Sequence, residues 1–361
     1  MKKYFSLMLI AASTLCFTAC NNDDEPDKSK PNPDLPTNIE GALILNQGNY
    51  DKQIEGSLTL IDYAATSSYQ DLFQRANGRS LGASPQGGVV YGDKIYLGIY
   101  SSNTIEVIDR NTYKSVKQIS LTNSEGQSPR SLIAKDGKVY VSMFNGYVSR
   151  LDTLSLEIDK TVKVGPNPEV MAIRGKYLYV PNSDGLNYKV GYGTTASKIN
   201  LDSFTVEKTF EVGLNPAQFA SNGSDLFMLC KGNYGDVPAV IYRLDNDDKY
   251  TEVAKATIMT VKGGSVYYIN APWGVEEITY AVYDIASGST KKMLGDSGVE
   301  SPCGLGVDPV NGNIVVTSYS MDNGKASYTT NGYAKVYDQN GTFMRRYEAG
   351  VGPCAIFFNY K

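Results

Sequence analysis

The 361-residue sequence contains no histidine. That absence excludes Ser-His-Asp and Cys-His nucleophile pairs, a histidine general base, and zinc or iron held by imidazole. Cysteine is scarce. Cys16 and Cys20 lie near the N-terminus, and Cys230, Cys303 and Cys354 remain, an odd number that cannot complete a disulfide framework. A basic excess is also missing: 34 Lys and Arg stand against 38 Asp and Glu, a formal charge of −4. Nucleic acid, which demands a basic face, is thereby disfavoured as a partner. After the first twenty residues there is no long apolar run and no sustained helical period. Tryptophan occurs once, but tyrosine is abundant, 27 against 11 phenylalanines. Rings with a polar handle suit half-buried strands and wet binding surfaces alike.

The first residues read as targeting information. Lys2 and Lys3 precede an apolar run from Tyr4 to Phe17, and Thr18-Ala19-Cys20 closes it. Charge, apolar core and small residues in that order mark a secretory signal, and the run is shorter than the roughly 20 residues of a membrane-spanning helix. The cysteine at the cleavage point resembles a bacterial lipobox. The resemblance implies a signal peptide over 1–19 and a lipid on Cys20, so that the lipid is the only membrane attachment. Residues 20–40 are rich in Pro, Asp, Lys and Asn and almost devoid of apolar side chains. Such a stretch cannot bury enough surface to fold and is expected to be a tether. Its acidic Asp23-Asp24-Glu25 resembles the surface-export signal of Bacteroidetes lipoproteins, although solvated linker charges would read the same way. The expected location is the outer membrane, facing outward.

Residues 41–361 carry a repeat. A small residue, a proline and an apolar stretch recur at Ser84-Pro85, Ser128-Pro129, Asn167-Pro168, Asn215-Pro216, Ser301-Pro302 and Gly352-Pro353. The prolines are 44, 39, 48, 86 and 51 residues apart, and 86 is twice 43. One anchor has therefore lost its proline, near Ala256-Thr257-Ile258-Met259. Each unit later presents an apolar strand ending in aspartate: Asp62, Asp109, Asp152, Asp202, Asp245, Asp284 and Asp338. Both series give seven. Short Val-, Ile- and Tyr-rich segments punctuated by Gly, Asn and Asp are antiparallel strands and turns. Units of 40–50 residues with four strands each define an all-β fold, a single seven-bladed β-propeller. The chain opens partway through a unit and ends on an orphan anchor strand, so the C-terminal strand is expected to close the first blade.

Little in the sequence points to catalysis. Two-carboxylate glycosidase chemistry stays open on paper, yet no unit carries an isolated acidic pair. Asp245-Asn246-Asp247-Asp248 alternates oxygen donors but lacks the Gly and distal Glu of a calcium loop, and is expected to be a solvated turn. Cys303 and Cys354 occupy one position of consecutive units. Equivalent positions on adjacent blades lie too far apart for a disulfide, so two small buried thiols are expected.

The units differ most in the loops between their second and third strands. These hold Asn49 and Tyr50, Tyr100, Phe144 and Tyr147, Tyr188 and Tyr192, Tyr234, Trp273, and Tyr319 with Tyr328. Any one such loop is accounted for by turn chemistry; seven converging on one face resemble a paratope of rigid rings and adaptable amides. Gln86, Arg130 and Glu169, each following an anchor proline, are expected to ring the channel mouth beneath. The expected ligand-binding set is therefore Asn49, Tyr50, Tyr100, Arg130, Phe144, Tyr147, Tyr188, Tyr192, Tyr234, Trp273, Tyr319 and Tyr328.

Residues 41–361 resemble the YncE-like, surface-layer-type propeller lipoproteins of Bacteroidetes, through Ile44-Leu45-Asn46-Gln47-Gly48-Asn49, Arg75-Ala76-Asn77-Gly78 and Gly350-Val351-Gly352-Pro353. One branch, the surface lipoproteins that capture vitamin B12 and pass it to the outer-membrane TonB-dependent cobalamin transporter, is especially similar. The resemblance implies cobalamin or a related corrinoid as transported ligand and that transporter as partner; with no histidine and no isolated acidic pair, no enzyme activity is expected. Its motifs specify the scaffold rather than the ligand. A glycan- or protein-binding surface propeller is the second expectation, and a propeller hydrolase or lyase the third.

Overall fold

The computed structural model describes residues 39–275 and 277–360. The expected signal peptide, Cys20 and all but the last two residues of the expected tether lie outside them. Ile39, two residues ahead of the expected boundary, packs against the first interior cluster.

Seven radial antiparallel sheets succeed one another along the described residues, besides a small ribbon of Met321–Asp322 and Lys325–Ala326. The second shows the plan: Pro85–Tyr91 innermost, then Lys94–Ile99, Thr104–Asp109 and Ser115–Ser120 at the outer edge. The sheets are radial blades, and the expected propeller is observed. The first blade departs from the four-stranded plan. It holds Ser57–Ile61, Ala42–Asn46 and the C-terminal strand Pro353–Phe358, with a single outer bridge between Leu60 and Tyr69. A six-residue helix, Leu72–Asn77, follows there, buries Leu72 and Phe73 and ends on left-handed Gly78. It was not foreseen, because six residues are too few to show a period.

Alternating side chains on each strand go to opposite faces, so each blade feeds two interfaces. Tyr96 packs toward the third blade, whereas Ile95 and Leu97 pack toward the first. Seven interior clusters result, one at each junction of neighbouring blades, the last joining the seventh blade to the first through Ala42, Ile44, Val315 and Val336. The core is thus a circle of junctions. The closure lies at Pro353–Phe358, which pairs with Ala42–Asn46 as expected.

The proline anchor has a structural cause. Ser84, Ser128, Asn167, Asn215 and Gly352, five of the six residues before the prolines, take φ between 47° and 66°. Small or amide side chains tolerate that left-handed region best. Immediately after Pro85, Pro129, Pro216, Pro302 and Pro353 the register slips by one residue. Each anchor is therefore a β-bulge, a device that re-aims one side chain. Those bulged residues are Gln86, Arg130, Ala217, Cys303 and Cys354. The sixth blade pairs Ile258–Lys262 with Ser265–Asn270 without a slip, and Thr257 stands where the proline would. Losing the proline and losing the bulge are one event.

The aspartates cap the outer hairpins on the opposite face. Asp109 accepts the N–H of Asn111 and Thr112, Asp152 those of Leu154 and Ser155, and Asp338 those of Asn340 and Thr342. In the fourth blade the cap is Asn200, which accepts from Asp202 and Ser203, so the expected Asp202 is corrected by two residues. An amide oxygen serves this role as well as a carboxylate. The turn at 245–249 is not a purely solvated one either. Asp245 caps it, but Asp248 is buried against the fourth blade, with Lys198 Nζ at 3.2 Å, Lys208 Nζ at 3.4 Å and the Tyr179 hydroxyl donating at 3.1 Å. Cations surround it, which is the reverse of a calcium site.

Candidate functional site

On the face opposite those caps, the loop after each second strand turns over the channel mouth. Its first residue is fixed by the backbone. The N–H of Gln47, Tyr100, Phe144, Ser183, Lys231 and Tyr319 donates to the carbonyl of the residue before the proline, at 2.7–3.2 Å. In the sixth blade Ala271 N–H donates to the Thr257 hydroxyl at 3.0 Å. Seven equivalent seats therefore encircle the mouth, each with a fixed backbone and a variable side chain. Beneath them the bulged residues form an inner ring.

Gln86, Arg130 and Glu169 do meet at the mouth. Arg130 Nε donates to Glu169 at 2.8 Å, its Nη1 donates to the Gln86 amide oxygen, and its guanidinium lies 5.3 Å from the Phe144 ring centre. Burial works against the Arg130 charge, and the Glu169 carboxylate more than offsets it, so its pKa stays above the usual value. Cys303 and Cys354 face the channel as free thiols. Burial pushes the first up to about 12 and the second up to about 11, so both stay protonated and inert. The channel below has a cavity of about 460 Å³, walled by Leu132, Leu229, Met259, Leu305, Ile356 and Phe357.

Three recesses open around this mouth. The first, about 280 Å³, gathers Phe144, Tyr188, Tyr192 and Tyr234 above Arg130, Glu169 and Lys231. Tyr192 and Tyr234 meet edge to face at 6.0 Å. Tyr234 has φ 57°, an uncommon conformation for an aromatic residue, and stays 58% exposed. A second, about 480 Å³, runs outward from Lys231 and Tyr234 to Trp273, which is 88% exposed. Across the ring, Asn49, Tyr50, Tyr319 and Tyr328 line a third of about 320 Å³. There Tyr319 and Tyr328 contact edge-on at 4.9 Å, and Asn49 donates to the Tyr328 carbonyl at 2.9 Å. Exposed rings in such number on one face are unusual for a surface with no partner.

Ten of the twelve expected residues line these recesses. Tyr100 instead meets Phe144 edge-on at 5.6 Å. Tyr147 is the correction: it begins a third strand and packs on the interior cluster of the second and third blades. The loop ends one residue earlier than expected, at Gly146. Lys231 was missed as a site residue. Its signal was available, because it occupies the seat that holds Tyr100, Phe144 and Tyr319 in other units. A larger opening, about 1010 Å³, lies among the outer strands of the sixth and seventh blades. Within it Lys335 reaches Asp296 at 3.5 Å and Tyr280 donates to the Val299 carbonyl at 2.8 Å. It is a seam between blades. Among the described residues no cluster of acidic or cysteine side chains is suited to hold a metal.

A closed seven-bladed ring with an aromatic-walled, partly charged mouth defines the class: a β-propeller with an open rim face. Comparison with known proteins places it further. Residues 40–350 match the model of a family described as a domain of unknown function, DUF5074, and the chain belongs to that family. No curated protein matches it. Among solved structures it is similar to a quinonprotein alcohol dehydrogenase-like protein of Bacteroides thetaiotaomicron, with 16% identity, 90% of this chain and 80% of the other covered, and TM-score 0.61. Two provisionally assigned 6-phosphogluconolactonases are also similar. That of Bacteroides uniformis shares 10% identity over 88% of this chain and 99% of its own, with TM-score 0.61. That of Bacteroides fragilis shares 12% over 89% and 98%, with TM-score 0.59. At these identities the likeness establishes the fold and no activity.

Proposed function

We propose that this protein is a surface lipoprotein, anchored through Cys20, that captures a corrinoid at its channel mouth and passes it to an outer-membrane TonB-dependent transporter. One observation carries the reading: Phe144, Tyr188, Tyr192 and Tyr234 stand together above a mouth that also holds Arg130, Glu169 and Lys231. A corrin is a broad apolar plane fringed with amides and bearing a phosphodiester. Tyrosine rings pack against such a plane while hydroxyls and amides pair its fringe. With no histidine in the chain, recognition rests on shape and hydrogen bonding instead of imidazole ligation of cobalt. The ligand is held at the rim, where two of the recesses meet at Lys231 and Tyr234.

Calorimetric titration of the protein with cyanocobalamin tests this. One-to-one binding is expected, weakened at least tenfold by Tyr234→Ala and by Trp273→Ala with unchanged melting. An absence of heat at high micromolar concentration sinks the corrinoid reading. A glycan- or protein-binding propeller is the second reading, favoured by the isolated exposure of Trp273 and Tyr50, platforms suited to stacking on a sugar face. Binding of an oligosaccharide, lost in Trp273→Ala, with no response to cyanocobalamin, would decide for it.

A further inference from the structure

Lys231 is the only charged residue among the seven seats, which otherwise hold Gln47, Tyr100, Phe144, Ser183, Ala271 and Tyr319. It is also shared by three openings, since it lines the central channel, the aromatic recess and the groove leading to Trp273. Its backbone is committed, the N–H donating to the Asn215 carbonyl at 2.8 Å. Its ammonium has no hydrogen-bonding or ion-pair partner among the described residues. The nearby carboxylate, Glu169, is already taken by Arg130 at 2.8 Å and approached by the Ser183 hydroxyl at 3.4 Å. Two cations and one anion thus meet at the mouth, and the unmatched charge is positive. Lys231 is half-buried, and an ammonium partly withdrawn from water without a partner is costly. Burial accordingly pulls its pKa below the usual lysine value, with Arg130 adding to the effect and Glu169 opposing it.

We infer that Lys231, backed by Arg130, is an anion-reading site that holds the monoanionic oxyacid group of a ligand stacked on Tyr188, Tyr192 and Tyr234. The chemistry required is a phosphodiester or a carboxylate joined to a flat or bulky apolar body. The rings bury the body, and the low local dielectric strengthens the ammonium–oxyanion pair relative to water. On the corrinoid reading, on which this identification of the group rests, it is the phosphodiester of the nucleotide loop.

The protein and its Lys231→Met and Lys231→Arg variants would be titrated calorimetrically with cyanocobalamin and with dicyanocobinamide, which lacks the phosphodiester. Lys231→Met is expected to weaken cyanocobalamin ten- to a hundredfold, the range that a charge-assisted hydrogen bond supplies, and to leave cobinamide within twofold. Lys231→Arg should recover most of the loss. Because the ammonium has no internal partner, the melting temperature of the methionine variant should not fall. Equal weakening of both ligands, or of neither, overturns the inference while the corrinoid reading stands.

A second arm needs no corrinoid. The lysines are dimethylated with ¹³C-formaldehyde and followed by NMR against inorganic phosphate, acetate and chloride at one ionic strength, the Lys231 signal being the one missing from the methionine variant. A saturable shift with phosphate or acetate but not chloride is expected, and the stronger of the two identifies the oxyacid. No shift with either overturns the inference. Should cyanocobalamin fail to bind the unmodified protein, the proposed function falls and this arm alone decides on Lys231.

Discussion

Asp248 shows how much one side chain can hold. It sits in a left-handed turn of the fifth blade, yet its carboxylate is buried among Lys198, Lys208, Arg174 and the Tyr179 hydroxyl of the fourth. Removing one member of a buried ion cluster leaves the others desolvated and unpaired. Asp248→Ala is therefore expected to cost about 3 kcal/mol in urea unfolding, the low end for such clusters because Lys208 is half exposed. The exposed neighbour in Asp247→Ala should change stability by less than about 0.5 kcal/mol. Near-equal effects would mean that the cluster is only a surface ornament. In the sequence the four consecutive polar residues looked alike, since register across a blade junction decides which of them is buried.

At the scale of the element, the outer hairpins depend on ionised caps. The Lys138 ammonium, with the Ser155 and Leu154 N–H groups, holds the Asp152 carboxyl well below its usual range. The Ser287 hydroxyl and N–H do the same for Asp284, and the Thr342 and Asn340 N–H groups for Asp338. A carboxyl whose folded pKa is depressed contributes stability above its unfolded value, near 3.9, and that contribution is lost as pH falls through the folded value. Stability should thus be flat from pH 7 to about 5 and decline below about 4. A triple Asp→Ala variant at 152, 284 and 338, which removes the acceptor altogether, should melt lower than the parent at pH 7, and the gap should narrow toward pH 2.5. A gap that widens in acid would contradict the role.

The same scale explains what was legible. Seven units were countable because turns and bulges demand particular residue types, a left-handed Ser, Asn or Gly before the proline above all. Asn200 escaped because amide and carboxylate caps are interchangeable. Tyr147 was misplaced because a loop and the first residue of a strand look alike. Lys231 was left out of the binding set because its meaning lies in its neighbours around the ring, not along the chain.

For the whole molecule the decisive feature is closure. Pro353–Phe358 completes the first blade, and the residues after it lock the seam. Asn359 donates to the carbonyls of Ile39 at 3.0 Å and Arg110 at 3.1 Å, while Tyr360 donates to buried Asp308 at 2.6 Å beside Tyr63. A chain ending at Gly352 would leave the Ala42–Asn46 edge unpaired and open the circle at one junction. It is expected to lose the single cooperative melting transition followed by circular dichroism and to elute as aggregate. Retention of a sharp transition within a few degrees of the full chain would show that six junctions suffice.

The clasp that joins each seat to the carbonyl before the proline uses only main-chain atoms in six blades. Replacing the side chain in a seat leaves the clasp untouched, so the seven positions form an address written in seven independent characters on a constant frame. Relatives that share the frame can diverge in what they retain through substitutions there, with no refolding in between. A library varied at those codons alone is a direct route to receptors for new molecules.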